Sequence, residues 1–229
     1  MTQLTYLMDE IGSGMEIYYS SRLGGRYLKT AFILCDDYVE LLSKLWLLEN
    51  VNNWQDKRAN GSFKNFPQVL NDVGNGKNGH CHPDEHRRIV ELTDQMKERR
   101  KRRNDFFHST HLLDLNVNKL VCVEAFCNLI EFGELLFGGD WRREIGANTK
   151  TEILCNLFQL EKVAFSDPTI EPKINSLLKD WPRREKEKSY IPKKGLQYAQ
   201  HPEDQHLRLC LDWGGRELRD AIKALLPHS

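Results

Sequence analysis

The residues best suited to chemistry lie in one segment, KERRKRRNDFFH, from Lys97 to His108. Its first seven residues carry six cations and one glutamate, a local charge of +5. Such a run suits an anionic ligand, most obviously a phosphate backbone. The plain alternative is a solvated helix face. Arg103, Asn104 and His108 follow. Cleavage of RNA by its own 2′-OH needs a base to take the hydroxyl proton, an acid to protonate the leaving 5′-oxygen, and a cation to hold the charge on the phosphate. Histidine exchanges protons near neutral pH. Arginine stays charged and grips phosphate with two N–H groups. Neither group needs a metal. One difficulty is angular: at about 3.6 residues per turn, five residues separate two side chains by about 140°. Either the arginine curls round, or the helix bends near its end, or a second subunit completes the site. Without such a site, His108 packs near a helix end and Arg103 is one more surface charge.

The patterning that must position these residues is helical nearly throughout. From Arg26 to Asn50, Leu28, Phe32, Cys35, Val39, Leu42, Trp46 and Leu48 recur at helical spacing. Ala31, Leu34, Tyr38, Leu41 and Leu45 widen the stripe, as expected at the centre of a bundle. Glycines 24 and 25 break the pattern upstream and leave a shorter segment around Met15–Leu23. Residues 51–82 read as loops around a helical piece, PQVLNDV. Pro83 opens a long helix, with Asp84 and Glu85 at its positive end, expected to reach about Leu115. Its stripe starts with Ile89, Leu92 and Met96, stops, and resumes at Phe106, Phe107, Leu112 and Leu113. Further helices are expected at Val117–Phe137, ended by glycines 138 and 139, and at Lys150–Ala164. Beyond lie a short helix near Glu171–Asp180, a charged linker RREKEKS, and a helix from Pro202 to Leu226, broken at Gly214–Gly215.

An arginine followed directly by a polar residue, with four to six residues between the arginine and a histidine, resembles the signature of HEPN ribonucleases (higher eukaryotes and prokaryotes nucleotide-binding domain). Arg103, Asn104 and His108 match it. Glu40 and Lys44 on the earlier helix resemble the acidic–basic pair found near the active site in several HEPN groups. They lie one turn apart and also suit an ordinary surface pair. The resemblance covers about residues 26–165 and implies an all-α bundle of four or five core helices. Residues 1–165 then form the HEPN-like domain, and 166–229 a helical extension packed on it. It implies a homodimer in which two motifs face each other across a cleft, resolving the angular difficulty. It also implies metal-independent endoribonucleolytic cleavage to 2′,3′-cyclic phosphate and 5′-OH ends. Arg103 and His108 would be catalytic, Asn104 would orient, and Glu40 and Lys44 would support. Arg99, Arg100, Lys101 and Arg102 would steer RNA. Many such proteins are toxins or anti-phage effectors held by an antitoxin. The alternative is a non-catalytic module of the same kind that binds a nucleotide or a partner protein.

Composition narrows the field. The 229 residues hold 33 basic and 33 acidic side chains, so a uniformly basic nucleic-acid coat is excluded. A hydrophobic share of 40% is enough for a sizeable core. No run of about 18 apolar residues reads as a membrane span. The N-terminal MTQLTYLMDEIGSGM lacks a basic leader, so a cytoplasmic protein is expected. Cysteines 35, 81, 122, 127, 155 and 210 read as reduced thiols. His80, Cys81, His82 and His86 are a metal candidate, as for a metal-binding helical regulator. Pro83 interrupts them and no second ligand pair follows, so capping and loop roles are favoured, and no metal or cofactor is expected. His111 lies one turn beyond His108 and could assist it, or be a polar flank. The glycine-rich GNGKNGHCH could line an RNA cleft, but no P-loop, nucleophile-elbow or H-E-x-x-H motif is present.

Overall fold

A computed structural model describes residues 2–21, 28–77, 81–108, 119–176 and 215–226, without the side chains of residues 20, 21, 102, 104–108 and 215–217. The fold is all-α. Among the described residues the one extended pairing is an isolated bridge between Lys57 and Phe63. The helices are α1 (Gln3–Ser21), α2 (Leu28–Asn50), α3 (Phe66–Lys77), α4 (Pro83–His108), α5 (Lys119–Phe137), α6 (Gly139–Ala147), α7 (Thr149–Ser166) and α8 (Gly215–Lys223). No helix among the described residues is long and apolar enough to cross a membrane.

Helices α2 and α5 form the centre. The first packs on α1, α3 and α5, and the second on α2, α4, α6 and α7. One continuous apolar cluster joins them all. It includes Ile170 and Ile174 of a helical stretch at 170–176, and Leu218 and Ile222, through which α8 lies on α7.

Helix α1 is longer than the sequence suggested. It starts at Gln3, and Leu4, Leu7, Met8, Ile11, Met15 and Tyr18 form one buried stripe. It runs through Gly-Ser-Gly at 12–14, although glycine weakens a helix interior. Here it permits close packing: a Cβ at Gly14 would lie 2.6 Å from the Tyr38 ring. Helix α6 is likewise unanticipated, since glycines 138 and 139 looked like a terminus and instead separate two helices. Its Trp141 is 1% exposed and lies against Gly133 of α5. A Cβ at Gly133 would fall 2.4 Å from the indole. Gly133→Ala is therefore expected to destabilise the protein by about 1–3 kcal/mol through overpacking. A urea titration checks this through a lower midpoint at unchanged slope.

The helix termini are chemically specified. Asn65 and Gln68 cap α3 reciprocally, each side-chain oxygen accepting the other's backbone N–H at 3.1 Å. The Lys77 ammonium reaches the negative end of α5, donating to the Leu135 and Leu136 carbonyls at 2.9 and 3.2 Å. Burial pulls its pKa below the ordinary lysine value. Asn148 caps α7 by accepting from the Thr151 N–H at 3.1 Å.

The α2 stripe is wider than its partners cover. Leu41 and Leu48 are 51% and 59% exposed, so this edge of the helix faces outward and not into the bundle.

Candidate functional site

Helix α4 spans 26 residues, and the two halves of its inward stripe differ in chemistry. Ile89, Leu92, Thr93 and Met96 are buried against the bundle. The same line, continued at helical spacing, reaches Arg100 and Arg103. These arginines therefore point at α2 because they occupy core-facing positions, where most of the basic run belongs to other faces. Facing them on α2 are Asp36, Asp37 and Glu40.

The contacts are dense. Arg100 Nη1 bonds Asp36 Oδ2 and, at 3.1 Å, Asp37 Oδ1. Its Nη2 donates to Glu40 Oε2 at 3.0 Å. Arg103 Nη2 donates to Asp37 Oδ1 at 3.1 Å, and its Nε lies 3.7 Å from Asp36 Oδ2. Glu40 also pairs with Lys44 at 2.9 Å. Three cations thus meet three carboxylates. The Phe66 ring closes the cluster from α3, with the Arg100 guanidinium 4.7 Å from its centroid.

Exposure separates the carboxylates. The Asp36 side chain is 2% exposed and that of Asp37 43%. Burial raises the Asp36 carboxyl above its ordinary value, and Arg100 and Arg103 offset only part of that. Burial alone would lower the Arg100 value, but the Asp36 hydrogen bond and the carboxylate charges outweigh it and hold the guanidinium above its ordinary value. Asp36 is the fixed inner anchor, while Asp37 stands at the water boundary.

The other face of α4 borders a cleft of about 460 Å³ shared with α5 and α7. Arg99, Gln95, Asn128, Glu124 and Lys162 line it. With its amide oriented to satisfy both ends, Asn128 accepts from Arg99 Nη2 at 2.8 Å and donates to the Glu124 carbonyl at 3.2 Å. The basic run therefore divides. Arg99 serves the cleft, Arg100 and Arg103 the acidic cluster, and Lys101 an exposed bond to Glu98 at 3.0 Å. The side chains of Arg102, Asn104 and His108 lie outside the described residues, although the α4 backbone is helical through His108. The register of α4 therefore sets positions 103 and 108 about 140° apart. Residues 109–118, with His111, also lie outside the description.

The histidine-rich segment does structural work. The His82 carbonyl and Nδ1 accept the backbone N–H groups of His86 and Asp84 at 3.0 and 3.3 Å, capping α4. The His86 ring meets the Gly74 carbonyl at 3.1 Å. Gly74 and Gly76 lie within α3 and not in an open loop. His80 is outside the described residues, and among those described no group of three or more His, Cys, Asp or Glu could hold a metal. Burial pushes the Cys122, Cys127 and Cys155 thiols up to about 12, so they remain neutral core groups.

Asp36 and Asp37 are the site residues that sequence reasoning missed. Their signal was present. An aspartate pair inside an apolar stripe, one turn before Glu40, requires cations from a neighbouring helix. The chain matches no protein-family model, no curated protein and no solved structure.

Proposed function

We propose that the chain is a metal-independent endoribonuclease of the HEPN kind, acting in the cytoplasm as a homodimer with a composite site. One observation carries the reading. The Glu40–Lys44 pair and the arginine of the R-x4-H motif, about sixty residues apart in sequence, belong to one network between α2 and α4. In the reaction the 2′-oxygen attacks phosphorus, its proton passes to a base, and the bond to the 5′-oxygen breaks as that oxygen takes a proton. His108 moves the proton, Arg103 holds the charge on the phosphate, and Asn104 orients. Arg100 positions Arg103 through their shared carboxylates, while Arg99, Lys101 and Arg102 steer RNA. The test is incubation of RNA in excess EDTA followed by analysis of the product ends. Cleavage to 2′,3′-cyclic phosphate and 5′-OH ends supports the reading, and other ends overturn it.

The exposed edge of α2 supports a second copy. Leu34, Leu41 and Leu48 recur every seven residues beside Asp37 and Lys44. Turned about a two-fold axis beside Leu41, each copy's Asp37 comes within about one residue's rise of the other's Lys44, a self-complementary arrangement. Leu41→Glu is expected to give a monomer in sedimentation analysis, with cleavage lost in parallel.

A second reading has its own observation. Arg103 is already bound to Asp37, as suits a non-catalytic module that takes a nucleotide or partner protein elsewhere. Growth on expression separates the two. A toxin or anti-phage nuclease needs an antitoxin or regulatory protein and arrests its host without one. Arg103→Ala relieves that arrest, whereas a binding module causes none.

A further inference from the structure

The segment between α2 and α3 is built more firmly than a connecting loop requires. The Arg58 N–H donates to the Ser62 carbonyl at 2.8 Å, and the Gly61 N–H to the Arg58 carbonyl at 2.9 Å. Gly61 takes φ 82°, which a tight turn of this kind reserves for glycine. Asn60 Oδ1 accepts from the Ser62 hydroxyl and N–H at 2.7 and 3.1 Å. The Lys64 N–H donates to the Asp56 carbonyl at 2.7 Å. The hairpin is fastened to α3 twice. Trp54 Nε1 and Lys64 Nζ share Asp72 at 2.8 and 2.7 Å, and Arg58 donates twice to Gln68 Oε1 at 3.1 and 2.6 Å.

This frame holds an aromatic ring in water. Phe63 is 62% exposed. The Lys57 ammonium stands 5.2 Å from its centroid, so one ring face meets a cation and the other is open. Arg58 is fixed by a neutral amide, which leaves its charge uncancelled by that partner. Three residues further along, Phe66 is the ring beneath Arg100. Three residues of chain span at most about 11 Å, so the hairpin lies beside the arginine cluster.

We propose that the 56–64 hairpin is a contact for single-stranded RNA, with a base stacked on the open face of Phe63 and phosphates held by Lys57 and Arg58. An aromatic platform beside fixed cations is how single strands are bound without reading sequence. A duplex hides its base faces, so the ring selects unpaired segments. The choice of RNA rests on the ribonuclease reading, but binding is measured without cleavage.

The probe is a fluorescein-labelled 2′-O-methyl oligouridine of twelve nucleotides, which has no free 2′-OH to attack. Phe63→Ala is expected to weaken its binding by about 5- to 100-fold, and Phe63→Trp to preserve it. The Lys57→Ala/Arg58→Ala double variant is expected to flatten the salt dependence by about 1.4 logarithmic slopes, for two lost phosphate contacts. Melting curves of the Phe63 variants should match wild type, since that side chain is exposed, and the double variant, which loses one fastening to α3, should melt slightly lower while staying folded. Phe63→Ala binding within twofold of wild type overturns the proposal and leaves the hairpin to a protein partner. Absence of binding by wild type overturns it equally. Hairpin-dependent binding without cleavage of ordinary RNA leaves this inference standing and removes the nuclease reading. Cleavage indifferent to Phe63 does the reverse.

Discussion

On the proposed ribonuclease reading, His108→Ala is expected to lower RNA cleavage by about 10²- to 10⁴-fold, the usual contribution of a positioned proton-transfer group. The measurement is the single-turnover rate in EDTA beside the far-UV circular dichroism of both proteins. Helicity should not change if the loss is one of proton transfer alone. A variant that cuts as fast as wild type removes His108 from the mechanism. The composite site adds a stricter test. If the histidine of one copy works with the arginine of the other, mixing Arg103→Ala and His108→Ala proteins restores part of the activity. In a site built within one chain, mixing restores none.

The second large effect is on stability. Asp36→Ala leaves Arg100 facing its partners without the carboxylate at the centre, and the arginine is mostly buried. Asp37 and Glu40 still pair with Arg100, so the cost is that of a lost buried hydrogen bond between charged groups, about 1.5–3 kcal/mol. Asp37→Ala removes a half-exposed partner and is expected to cost about 1 kcal/mol or less. Urea titration of both variants checks the ordering, and equal midpoints would refute the distinction between anchor and boundary carboxylate. Acid acts on two carboxyls in opposite senses. Burial holds the folded Asp36 carboxyl above its unfolded value, so this group favours the folded state increasingly as pH falls through the raised value towards the ordinary one. At Glu131 the Arg88 hydrogen bond depresses the carboxyl. The stability it contributes is present above its ordinary value and lost as pH falls through the depressed one.

Much of the architecture was legible because it rests on apolar periodicity. Helix α7 begins and ends within two residues of the pattern, and α5 ends at Phe137 as the glycines after it suggest. Glycine misled in the other direction. Gly138 and Gly139 do follow the end of α5, but α6 starts there at once, and a single sequence does not distinguish a junction of two helices from a terminus. The arginine cluster was half legible. Glu40 and Lys44 stand one turn apart on any helix, so their pairing follows from spacing. That Arg100 and Arg103 take the core-facing line, and Arg99 the cleft, depends on how α4 is rotated against α2. The basic run offers no apolar residue to reveal that rotation. It could have been carried forward from Ile89, Leu92 and Met96, which fix the phase of the helix.

The stripe of α4 changes adhesive midway along its length. As far as Met96 it is held by apolar contacts, which kosmotropic salts strengthen, and beyond Met96 by ion pairs, of which salt screens the half-exposed Asp37 pairs most. A salt such as sulfate therefore acts on one rod in two senses, tightening its root and loosening its tip. The tip carries the residues proposed to meet a polyanion. On that reading, phosphates drawn to it would compete with Asp37 for the same arginines, so an approaching strand would act as a local electrolyte. The helix end that received the strand would then be the end the strand itself unlatched.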